Sequence, residues 1–123
     1  DRFTDSTRAY QCYGHGVSLE KIETLNRIAL EGFAPDLTFM LDIDSEAGLK
    51  RSKQRLSQNV SGDASQVEDR FERLDFDFHK RLRDGYLKIA ENEPDRCVVL
   101  DAGQPVDDLA SEILELVEEE LGA

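Results

Sequence analysis

PDLTFMLDID, residues 35–44, is a short apolar run closed by a proline at one end and by Asp42 and Asp44 at the other. Leu37, Phe39, Met40, Leu41 and Ile43 do not alternate cleanly with polar residues, so the run reads as a strand buried on both faces. A second run of the same kind, RCVVLDAG at 96–103, follows Pro94 and ends on Asp101. Long helical stretches separate the two, and strands joined in that way are normally parallel with right-handed crossovers. The expected fold class is therefore α/β, layered around a parallel sheet. Two strands make a poor sheet. Further strands are expected ahead of residue 1, with the opening Asp1-Arg2 pair at the carboxyl end of one of them.

The flanking segments read as helices. Residues 5–13 form a short one capped by Asp5 or Ser6, and Gly14 and Gly16 interrupt it. From Ser18 to Glu31, Leu19, Ile22, Leu25, Ile28 and Ala29 recur at three- and four-residue steps, and Gly32 with Pro35 ends the segment. SEAGLKRSKQRL restarts helical composition after the first strand, and LSQNVSGDASQ dissolves it into a polar loop. A long helix then carries Val67, Phe71, Leu74, Phe78, Leu82 and Ile89 on one stripe, with Phe76 and Tyr86 off it. The final helix turns Val106, Leu109, Ile113, Leu116 and Val117 inward, and holds seven acids and no base.

At 123 residues the chain has room for one domain and one core. The 39% of hydrophobic residues fall into periodic groups, which fits a packed chain despite 34% of charged ones. A formal charge of −12 repels a phosphate backbone, so a general nucleic-acid binder is excluded and any phosphate site must be local. Cys12 and Cys97 match no metal-ligand or redox spacing and read as reduced thiols, which points to the cytoplasm. No apolar run approaches the length of a membrane span, and no membrane partner is expected. Asn59-Val60-Ser61 fits the glycosylation pattern, but a three-residue match carries little.

Three groups of residues could carry chemistry. Asp1 and Arg2 at a strand end offer a carboxylate for water or Mg²⁺ and a guanidinium fork for phosphate oxygens; a surface ion pair is the plain alternative. Ser6, Thr7, Tyr10 and Gln11 lie within helical reach of one another, and can either read the polar edge of a base with a tyrosine against its sugar or form a capped surface helix. Lys50, Arg51, Lys53 and Arg55 place four bases within six residues of an acidic chain. Such a patch beside a polar loop suits the charge of a transferring phosphoryl group, with Arg70 and Arg73 able to join it across the loop; a solvated helix face is the alternative. His15 and His79 have no partner at metal-ligand spacing and are assigned no role.

Taken together, DRFTDSTRAYQ, GHGVSLEKIETLN, PDLTFMLDID, LKRSKQR and the DAGQP after the last strand resemble the bacterial thymidylate kinase family, from Asp1 to the final helix. The resemblance implies a P-loop NTPase-like, three-layer fold with a five-stranded parallel sheet, and a homodimer. It implies phosphoryl transfer from ATP to dTMP with Mg²⁺ as the companion cation. By it, Arg2 grips the dTMP phosphate, with Asp1 near the phosphates and meeting Mg²⁺ only through water. Ser6, Thr7 and Gln11 fall on the dTMP side, Thr7 and Gln11 at the thymine edge, with Tyr10 beneath the deoxyribose, disfavouring a 2′-hydroxyl. Residues 50–69 correspond to the lid, whose Arg51 and Arg55 close on the ATP phosphates, and Ala102, Gly103, Gln104 and Pro105 to the adenine-contacting turn.

Cys12 and His15 depart from the Gly and Arg that many relatives carry, and SQNVSGDAS is long for the lid. G-x-x-x-x-G-K-[ST], the loop whose backbone and lysine hold ATP phosphates, does not occur in these 123 residues. Residues 1–123 are therefore expected to form the carboxyl-terminal portion of a single kinase domain, inactive as a separate molecule. Two other readings compete: another nucleoside monophosphate kinase, and a non-catalytic acidic helical interaction module on a nucleotide-kinase scaffold.

Overall fold

The computed structural model describes residues 2–58 and 76–122. The order is α1 (Thr4–Thr7), a π-helical segment (Arg8–Gly14), α2 (Leu19–Leu30), β1 (Thr38–Asp42), α3 (Ser45–Gln58), α4 (Phe76–Asn92), β2 (Cys97–Asp101) and α5 (Val106–Glu120). β1 and β2 pair in parallel, with Thr38 opposite Cys97 and Asp42 opposite Asp101. Both apolar runs thus become strands in the expected orientation, although they are not buried on both faces as expected, Leu41 and Val99 being exposed. Asp42 and Asp101 end them at the same level, which defines one carboxyl edge.

α4 organises the core. Its Phe78, Leu82, Ile89 and Ala90 are buried, and with Ala9, Met40 and Cys97 they form one cluster onto which Tyr10, Tyr13 and Tyr86 pack. The stripe expected from the sequence is therefore the core stripe. Its upstream members Val67, Phe71 and Leu74, like most of the lid with Arg70 and Arg73, lie outside the described residues. So does Asp1, and with it the expected position of the opening pair at a strand end.

Three expectations need correction. The helix over 5–13 is not a single α-helix: after one α turn the chain widens to the i→i+5 winding, as in the bond from the His15 amide to the Tyr10 carbonyl at 3.0 Å. Asp5 is not the cap of that helix; it sits inside the first turn and is 5% exposed. On the outer helices the periodicity overstates burial, since Leu25, Ile28 and Val106 are 61%, 72% and 80% exposed. The α2 terminus is as expected: Glu31 and Gly32 take positive φ of 50° and 85°, which closes the helix.

Candidate functional site

At the carboxyl edge, two like charges directly opposite one another, Asp42 and Asp101, would destabilise the strand pair if nothing met them. Each is met. Arg83 of α4 donates from Nε and Nη2 to the two oxygens of Asp42 at 2.8 and 3.0 Å, and this hydrogen bonding raises the guanidinium further above its ordinary pKa. The Asp101 carboxylate accepts from the Gly103 amide at 2.7 Å and so shapes the DAGQP turn. The Ala102 amide donates to the Asp42 carbonyl at 2.8 Å, which ties that turn to the end of β1.

Two residues beyond β1, Asp44 accepts from the amides of Glu46 and Ala47 at 2.8 and 3.4 Å, satisfying free donors at the start of α3. That cap launches the basic helix from the carboxyl edge. Within it, Arg51 Nη1 donates to the Ala102 carbonyl at 2.7 Å. Two residues 51 apart in sequence, one from the basic run and one from the DAGQP turn, thus meet at the end of the sheet where α/β folds place their ligands. Gln104 turns instead to Glu112 of α5, its Nε2 donating at 2.8 Å, and Arg55 is exposed.

The second group lies along the π-helical segment. The Arg2 guanidinium carbon stands 4.9 Å from the centre of the Tyr10 ring, a cation–π distance, and Tyr10 packs against Phe78 at 6.1 Å. Ser6 Oγ shares a 2.7 Å hydrogen bond with the Tyr86 hydroxyl. Thr7 and Gln11 are exposed. Tyr10, between them in sequence, is instead half-buried against the core cluster.

A third cluster lies at the opposite end of the strands. Arg96, immediately before β2, donates to both oxygens of Asp5 at 2.8 and 3.0 Å, to Thr38 Oγ1 at 2.8 Å and to Glu93 at 2.6 Å. Arg8 adds a 2.9 Å bond to Asp5 and pairs with Glu23. Burial pushes the Asp5 carboxyl up, but the hydrogen bond and charge of Arg96, joined by Arg8, hold it below the usual aspartate value. Sequence reasoning missed Phe78 and Tyr86 as partners of Tyr10 and Ser6, and Arg83 and Arg96 as partners of Asp42 and Asp5, because each joins from an element far away along the chain.

Among the described residues no group of three or more His, Cys, Asp or Glu could hold a metal ion. They do not fit a Mg²⁺ held by protein ligands alone. Cys12 and Cys97 are free thiols, and burial pushes both up from the ordinary thiol value, away from reactive thiolate. No helix among the described residues is long and apolar enough to cross a membrane.

The family model described as thymidylate kinase matches residues 1–113, which takes in the opening motif, both strands and most of α5. The chain belongs to the thymidylate kinase family. It is 47% identical over 121 residues to the thymidylate kinase of Cyanothece sp., a span covering 98% of this chain and 50% of that protein. The thymidylate kinase of Trichlorobacter lovleyi is likewise 47% identical, over 117 residues that cover 95% of this chain and 53% of the relative. The crystal structure of thymidylate kinase from Ehrlichia chaffeensis superposes with a TM-score of 0.61 at 28% identity, across 95% of this chain and 46% of that one. The fold is accordingly that of a P-loop NTPase-like α/β protein, and the chain spans about half the length of the curated relatives it matches.

Proposed function

We propose that the protein containing this chain is a kinase that transfers the γ-phosphoryl group of ATP to dTMP, giving dTDP. Family membership across residues 1–113 supports the reading, and one observation within the chain carries it: the Arg51–Ala102 contact. This contact joins the basic helix to the DAGQP turn, the two segments assigned to ATP, at the carboxyl edge of the sheet.

Phosphoryl transfer asks little covalent chemistry of a protein; it asks for positioning and for charge to be met as it develops. In this proposal the Arg2 guanidinium holds the dTMP phosphate, with Asp1 beside it. Thr7 and Gln11 read the thymine edge from the outer surface, and Tyr10 lies beneath the deoxyribose. Arg51 and Arg55 meet the ATP phosphates, Arg51 leaving the Ala102 carbonyl for a stronger, charged acceptor. Ala102, Gly103, Gln104 and Pro105 line the adenine. Mg²⁺ enters as the companion of ATP, where it neutralises phosphate charge. The assembly is a homodimer in the cytoplasm.

Coupled ADP release by the full-length protein, with dTMP, dUMP, dGMP and CMP compared as acceptors, tests the reading. Turnover selective for dTMP is expected, and turnover with another acceptor alone, or with none, rejects it. In the same assay Arg2→Ala should lower kcat/KM for dTMP about a hundredfold, as loss of one preorganised donor to an anion commonly does.

A further inference from the structure

We propose that Phe78 and Tyr86 of α4 are positioning residues for sugar discrimination, fixing the place of Tyr10 in the π-helical segment. The inference rests on the reading of this segment as the dTMP side of the site.

A π winding is rare overall but frequent at functional sites. α4 packs against it from Tyr10 to Gly14, while Arg8 at its start pairs with Glu23 of α2. Ser6, just before the segment, is tied to Tyr86 by the 2.7 Å hydroxyl–hydroxyl hydrogen bond. Tyr10 lies against Phe78 with ring centres 6.1 Å apart. Tyr13 crosses Gly85 so closely that a Cβ on that glycine would stand 2.6 Å from Tyr13 Cβ. Gly14 meets the Phe78 ring at a distance where a Cβ would stand 2.6 Å from Cε2. The same Phe78 therefore contacts both Tyr10 and the glycine that ends the winding, and the His15 ring one residue later lies tilted against it with centres 5.0 Å apart.

These contacts also give Ser6 a different task from the one the family resemblance assigns. Its hydroxyl is engaged with Tyr86, so its part is to tether the start of the recognition segment. A Tyr10 ring whose place is set by Phe78 on one side and by the Ser6–Tyr86 tether at the segment's start can exclude an extra hydroxyl by its bulk. A ring free to rock cannot, because selectivity by bulk requires that the bulk does not yield.

The test compares kcat/KM for dTMP and for its ribose counterpart, ribothymidine monophosphate, in the full-length protein. Tyr86→Phe removes one hydroxyl without changing shape, and Phe78→Leu removes the ring edge. Each should lower the deoxyribose-to-ribose preference about tenfold, chiefly through better use of the ribonucleotide, a smaller effect than the roughly hundredfold that a 1 Å misplacement can have. Ser6→Ala should lower it by the same factor as Tyr86→Phe, and the double variant should be no worse than either single one. Folded Tyr86→Phe protein with an unchanged preference overturns the inference even if Phe78→Leu fails to fold. Failure of the unsubstituted protein to phosphorylate dTMP removes the functional reading itself and this inference with it, a result distinct from an active enzyme whose preference ignores Tyr86.

Discussion

Asp5 does more for the fold than its place in a polar cluster suggests. Its carboxylate is nearly sealed from solvent and is shared by Arg96 and Arg8, so it links the first helical turn to the amino ends of both strands through Arg96 and Thr38. Asp5→Asn removes the carboxylate that the two arginines share, but leaves Arg96 its Glu93 and Arg8 its Glu23, so it should cost less than the loss of a buried charge's sole partner, about 2 kcal/mol of stability at neutral pH. The pH dependence has a defined sign. The folded carboxyl titrates below the ordinary value of 3.8, so its contribution is complete above that pH and is lost as the pH falls through the lower, folded value. Denaturant unfolding of the full-length protein should therefore show a constant gap between wild type and Asp5→Asn near neutrality, closing only in acid below pH 3.8. A gap that persists undiminished in strong acid would assign the loss to packing rather than charge.

At the scale of elements, the strands and the inner helix were legible in the sequence because their signal is local. PDLTFMLDID and RCVVLDAG have no polar face to show, and Phe78, Leu82 and Ile89 keep one period down α4. The π winding was not legible, because the α4 residues packed against it lie about seventy residues further along the chain, where Gly85 and Phe78 take up the space around Tyr13 and Gly14. Nor could periodicity tell that Ile28 or Val106 is left outside, since an apolar stripe states what a helix can bury and not what lies beside it. Gly85 turns this into a prediction with two opposing effects. Alanine in a helix interior ordinarily improves on glycine by up to about 1 kcal/mol. Here its Cβ would sit 2.6–2.9 Å from Tyr13 Cβ, Cγ and Cδ2, too close for a near-backbone group to yield cheaply. Overpacking should win, with Gly85→Ala less stable by about 2 kcal/mol in thermal or denaturant unfolding. A stabilised variant would mean that the π segment can move off α4.

For the molecule as a whole, the candidate site was partly legible for an electrostatic reason: a basic run stands out against a charge of −12. Arg83 and Arg96 were not, because an arginine paired with a carboxylate from elsewhere looks in sequence like any solvated one. Within these 123 residues the same imbalance bears on the stability of α5. α5 carries Asp107 and Asp108 in its first turn, where the helix dipole welcomes negative charge. Its Glu118, Glu119 and Glu120 lie at the other end, where the dipole opposes it and no base is present in the last turn. The described ion pairs of Asp5 and Asp42 are short and partly shielded from solvent, so salt should weaken them less than it relieves repulsion among the exposed acids. Raising sodium chloride from about 10 mM to about 0.3 M shortens the screening length from roughly 30 Å to under 10 Å, which cuts long-range self-repulsion first. The melting temperature should therefore rise across that range, and replacing Glu118, Glu119 and Glu120 by lysine should add stability at low salt, up to about 1 kcal/mol for each site, and flatten the salt dependence of the melting temperature. A melting temperature that falls with salt would mean that the ion pairs at the two ends of the strands outweigh the net charge in holding the fold together.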